Sequence, residues 1–255
     1  MKEIPQDIVT LLNTEAARIN HPDFIASDPV QFPRLYSEPR DIEIVSLLVS
    51  TIAWGKRTMI CNNAGKMLDL MDHRPYDFTM DGAAEELPDM NIHRTFFSEN
   101  LKHYLRGLKL LYSRYGSLEN MVYERGIAES HFPAWEIAAE INAHIAEANS
   151  GKTDSRCLPV NLDASALKRL NMALRWLVRN DGIVDLGIWD VLKPSQLFIP
   201  LDVHVGNISR QLGLLERKSN DRKAVTDLTD TLRALRPQDP VYYDYALFGI
   251  GVNAK

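Results

Sequence analysis

Residues 164–179 read A-S-A-L-K-R-L-N-M-A-L-R-W-L-V-R, and residues 199–214 read I-P-L-D-V-H-V-G-N-I-S-R-Q-L-G-L. In the first segment Leu167, Leu170, Leu174, Leu177 and Val178 recur at the spacing of a helix that buries one face. Lys168, Asn171, Arg175 and Arg179 fall on another side of that helix, and the span 165–180 carries four positive charges and no acid. In the second segment Asp202 follows an extended I-P-L and precedes a helical run, a position from which a carboxylate accepts bonds from the free N–H groups of the first turn. Two helix starts therefore carry the notable chemistry, an amine on one and a carboxylate on the other.

Outward from these segments the pattern stays helical. Val9–Ile19 reads as a first helix, followed by a proline-punctuated loop. Asp41–Trp54 is apolar almost all round and predicts a central helix; a second begins near Thr58, after the turn G-K-R. Leu101, Tyr104, Leu105, Leu108, Leu111, Tyr112 and Tyr115 predict a helix over 98–115, and shorter ones follow at 117–123 and 134–148. Beyond Asp202 the helices are 203–212, 221–235 and 240–249, with 180–195 a connection. There is no convincing alternating strand pattern and no repeat, so the fold class is all-α.

With 255 residues, 45% of them hydrophobic, the chain can bury a substantial core in one large unit or two packed lobes. A net charge of -5 and a pI near 5.8 argue against coating of nucleic acid by bulk charge, while a local basic face stays compatible with it. Cys61 and Cys157 stand far apart, which fits no disulfide framework, zinc cage or iron-sulfur cluster. The N-terminus lacks the apolar run of a signal peptide and the stretch 44–54 is too short to span a bilayer, so a cytoplasmic protein without a membrane partner is expected.

The string L-D-V-H-V-G-N-I-S-R-Q-L-G-L resembles the segment of endonuclease III-like and 8-oxoguanine DNA glycosylases that carries their catalytic aspartate, with Asp202 on that position. A-S-A-L-K-R-L-N-M-A-L resembles the second half of the helix-hairpin-helix of the same superfamily, with Lys168 on the Schiff-base lysine. The segment 44–68 resembles the early helix pair, and Y-L-R-G-L-K-L-L-Y-S-R-Y-G-S-L-E-N-M suits the helices that follow, so the resemblance covers roughly residues 40–250. More closely, the whole chain resembles a bacterial family known only as conserved hypothetical, itself a distant relative of these enzymes. Ala164 and Ala166 replace hairpin glycines, Ile52 replaces a gap-filling glutamine, and the four-cysteine cluster loop is absent.

The resemblance implies a two-lobed helix-hairpin-helix fold with an interlobe cleft, lobe A about 40–180 and lobe B 1–39 plus 181–255. It implies base excision with AP-lyase activity on damaged duplex DNA: Lys168 attacks C1′ of a flipped nucleotide and Asp202 stabilises the developing positive charge. Arg175, Arg179, Lys56, Arg57 and Arg169 are the candidate nucleic-acid contacts. Trp54 and Trp176, on apolar helices, are expected in the core ahead of any stacking role. No cofactor and no metal is expected, because the D-x-H pair Asp202–His204 lacks supporting ligands, and a monomer is expected. Two other functions fit the same residues: a non-catalytic nucleic-acid-binding module, in which the lysine contacts phosphate and Asp202 only caps its helix, and a helical protein-interaction domain.

Overall fold

The computed structural model describes residues 4–253, with side chains described over 4–251. In chain order the helices are α1 (Gln6–Ile19), α2 (Pro22–Ile25), α3 (Pro39–Thr51), α4 (Arg57–Asp69) and α5 (Pro75–Asp81). Two short strands, β1 (Asn91–His93) and β2 (Phe96–Phe97), precede α6 (Ser98–Tyr115), α7 (Leu118–Glu124) and α8 (Pro133–Ala148). The remainder is α9 (Lys168–Val178), α10 (Val203–Gln211), α11 (Arg222–Leu235) and α12 (Tyr243–Asn253). The protein is thus mostly helical, and the antiparallel β1–β2 pair is a small exception that its sequence, too short to alternate, does not announce. Among the described residues no helix is long and apolar enough to cross a membrane.

The chain divides into two compact units, one of residues 25–160 and one joining the stretch up to Phe24 to the residues from Asn161 onward. The boundaries fall after 24 and 160, where the sequence suggested 39 and 180. The lysine-bearing helix α9 therefore belongs with the C-terminal helices. The physical reason is visible in its side chains: Leu170, Leu174 and Leu177 are buried, and Arg175 and the C-cap Arg179 pair with acids from 181–244.

In the 25–160 unit α3 is the core element, buried from Ile42 through Thr51. That run includes Glu43, 1% exposed. Its carboxylate accepts bonds from the Tyr112 hydroxyl and from the backbone N–H groups of Leu118 and Glu119, the first turn of α7. A buried carboxylate is costly alone, and here two orphan helix donors and a phenol offset its desolvation. Burial, then the Glu43 charge, push the Tyr112 phenol well above its ordinary range. Helices α6 and α8 approach closely at Gly107, where a Cβ would stand 2.5 Å from Ile145 Cγ1 and 2.7 Å from its Cα.

In the other unit α12 packs on α1 and α10, and α11 packs on the turn Pro240–Tyr242 that leads into α12. Tyr243 donates its hydroxyl to Asn13 of α1. Both α10 and α11 begin at an aspartate whose side chain accepts from the third residue of the helix, Asp202 from Val205 and Asp221 from Ala224.

Candidate functional site

The turn that presents Lys168 is built from local polar contacts. Asn161 Oδ1 accepts from the Ala164 N–H, Ser165 Oγ accepts from the Leu167 N–H, and Asn171 Nδ2 reaches back to the Ala166 carbonyl. Leu167, directly before the lysine, has φ +47, in the left-handed region that a bulky side chain occupies only at a cost. Its side chain is 2% exposed, so burial of the leucine holds the strained backbone in place. Helix α9 starts at Lys168, as the sequence suggested, and the left-handed residue before it is Leu167. Lys168 is half-buried, as is Arg169 beside it.

At the other helix start, the Asp202 carboxylate is half-buried and its Oδ1 accepts from Val205 N at 2.9 Å. The Asp202 carbonyl is held by Asn220 Nδ2, and Asn220 in turn by Arg210. Next to the cap, Val203 is 66% exposed and His204 is exposed, so the rim of α10 beside the carboxylate faces solvent.

Arg175 and Arg179 are not at the surface, which corrects their assignment as nucleic-acid contacts. They are 5% and 2% exposed. Arg175 Nε bonds Asp185 and its Nη1 bonds Asp244; Arg179 pairs with Asp181, Asp185 and Asp239. Arg175 also lies 4.4 Å from the ring centroid of Tyr245, whose hydroxyl donates to Asp185. The two guanidiniums share four carboxylates and lie against tyrosine rings, which leaves little surface for a phosphate, and the acids of 181–244 neutralise the positive face that α9 shows when read alone. Trp176 is 0% exposed and is core.

The residue that sequence reading passed over is Asp244, in the first turn of α12 and 7% exposed. Burial pushes its carboxyl up to about 6; Arg175 pulls it the other way, Asp202 pushes it further up and Lys168 pulls it down. Lys168 and Asp202, 34 positions apart, therefore both act on one buried carboxyl. Nothing local marked Asp244, because V-Y-Y-D-Y-A-L reads as an ordinary amphipathic helix start.

The remaining candidates lie in the 25–160 unit. Lys56 is exposed and Arg57 half-buried, with its Nη1 3.4 Å from Ser27 Oγ. Trp54 is half-buried against His93, ring centroids 4.7 Å apart. Neither Cys61 nor Cys157 forms a disulfide among the described residues.

Residues 28–253 match the model of a family described as protein of unknown function (DUF2400). The chain belongs to that family. The match includes Lys56, Arg57, Lys168, Asp202 and Asp244. No curated protein and no solved structure matches the chain.

Proposed function

We propose that this protein is a DNA glycosylase with AP-lyase activity that excises damaged bases through a Schiff base at Lys168, on a helix-hairpin-helix formed by the segment before and into α9. The observation that supports this reading most is that Lys168 opens α9 and Asp202 caps the start of α10, with the charges of both felt at the buried carboxyl of Asp244. An amine and a carboxylate so placed suit attack on an anomeric carbon. The Lys168 Nζ lone pair forms the bond to C1′, the bond from C1′ to the base breaks, and the departing base takes the electron pair and a proton. Asp202, with Oδ1 fixed by the helix start, stabilises the positive charge that builds on the sugar. Ring opening to an imine then permits loss of a C2′ proton and cleavage of the bond to the 3′ phosphate.

A damaged base is reached only once it is out of the stack, and Val203, apolar and exposed beside Asp202, offers a surface against which a flipped nucleotide packs. With Arg175 and Arg179 enclosed, Arg169, Lys56 and Arg57 stay as the cations for phosphate. A second reading draws on the same geometry: the hydrogen bond from Val205 makes Asp202 a helix cap in its own right, as a non-catalytic nucleic-acid-binding module requires. Incubation with abasic and damaged duplexes in the presence of borohydride separates the two. A covalent protein-DNA adduct supports the glycosylase, and salt-dependent binding with no adduct on any duplex supports the binding module.

A further inference from the structure

We propose that Arg94 and Lys56 form a phosphate clamp beside Gly55, through which the 25–160 unit holds the backbone of duplex DNA. The clamp takes its occupant from the DNA-binding reading above and its geometry from the packing of one loop against one hairpin. The connection between α3 and α4 supplies Trp54, Gly55 and Lys56, and the β1–β2 hairpin supplies Arg94 at its turn. The Arg94 side chain lies over Gly55: a Cβ added to that glycine would stand 2.8 Å from Nη1 and 3.5 Å from Cδ. Gly55, at φ +103, leaves this space open, and the guanidinium rests on the backbone directly before Lys56.

Hairpin and loop are locked together by His93, which is fully buried. The Trp54 carbonyl, 2.8 Å from Nε2, can only accept, so Nε2 donates and Nδ1 is left to accept from Asn63 Nδ2 of α4 at 2.9 Å. The imidazole also stands edge-on to Trp54, and Asn91 Nδ2 donates to the Arg94 carbonyl across the turn. The backbone under both cations is therefore ordered before anything binds, which lowers the entropy lost on binding. Both side chains are exposed, and their charges are left over. Arg106, Arg114 and Arg125 of the same unit each hold a glutamate, whereas among the described residues no carboxylate pairs with Arg94 or Lys56. The sequence supplies the reason: 51–68 carries Lys56, Arg57 and Lys66 without an acid, and 90–98 carries Arg94 without one. In a chain of net charge -5 this is a local reversal of sign. A guanidinium fork next to an ammonium suits a phosphate, the first by paired hydrogen bonds and the second as a point charge.

Duplex binding by the full chain, measured over a salt series, tests the clamp. The slope of log affinity against log salt is expected to fall by about 1 in Arg94→Gln and by about 2 when Lys56→Gln is added, since each phosphate contact contributes about 0.9. Arg125→Gln removes the same charge from the same unit at an arginine that already holds Glu140, and is expected to keep the wild-type slope. Equal slopes in Arg94→Gln and Arg125→Gln overturn the clamp, as does a wild-type protein that binds no duplex. If Arg94→Gln does not fold, Lys56→Gln alone decides, with a fall of about 1 expected and an unchanged slope overturning the clamp. Inorganic phosphate and polyglutamate are added as competitors at equal ionic strength. Displacement of duplex no greater than by chloride supports the DNA backbone as occupant, and a specific displacement that Arg94→Gln abolishes assigns the cations to a free anion or an acidic protein and overturns it. The borohydride assay on the wild type is scored separately. An adduct with an unchanged Arg94→Gln slope overturns the clamp and leaves the glycosylase, and a reduced slope without an adduct on any duplex supports the clamp and removes the Schiff-base chemistry.

Discussion

Arg175 and Asp244 lie 69 positions apart in the sequence and form a direct, buried ion pair between α9 and α12. The pair fixes the lysine-bearing helix to the helix that packs on Asp202's own. It also explains why α9, a basic helix when read alone, presents little of that charge to solvent.

Lys168→Gln is expected to abolish borohydride trapping on an abasic duplex while leaving duplex binding largely intact, since one lost charge removes about one phosphate's worth of salt-dependent affinity. Asp202→Asn is expected to keep the helix cap and to lower base excision on the order of 100-fold, because the amide still accepts from Val205 and carries no charge to stabilise the transition state. Single-turnover kinetics with gel-resolved adducts measure both.

The stability contribution of Asp244 runs opposite to that of an ordinary paired carboxylate. Its folded value of about 6 lies above the ordinary 3.8, so the native state holds this proton more tightly than the unfolded chain does. The contribution is complete below the ordinary value and is lost as pH rises through about 6. Urea denaturation at pH 4 to 7 on wild type and Asp244→Asn is expected to show a fall across that window that the variant lacks.

Arg179→Met is expected to destabilise the protein by about 3–5 kcal/mol, because it leaves Asp181, Asp185 and Asp239 without the guanidinium they share. Removing Arg114, which pairs with Glu147 at the surface of the other unit, is expected to leave the denaturation midpoint nearly unchanged. A comparable loss in both variants would show that the α9 network is no more than a surface feature.

Gly107→Ala is expected to cost roughly 1–3 kcal/mol although alanine is the better helix former, since the added methyl meets Ile145 at backbone distance and forces α6 and α8 apart. Thermal denaturation of the variant, with Gly126→Ala for comparison, separates the two causes: Gly126 has open space around its Cβ, so only its left-handed backbone resists substitution.

The helices were legible in the sequence wherever one face had to be apolar. The span 98–115 carries its periodicity without interruption and forms α6 with those bounds, and α3 is as enclosed as its uniform hydrophobicity implies. Asp202 declared its role as a cap because capping is a contact between residues three apart, readable in one dimension. Tertiary structure decided what happens to the charges. Whether Arg175 and Arg179 face solvent or acids depends on where the chain places Asp185, Asp239 and Asp244, and no local pattern encodes pairs 10, 60 and 69 positions apart. The left-handed backbone of Leu167 was equally hidden, because propensity assigns that conformation to glycine and only burial of the leucine side chain overrides it.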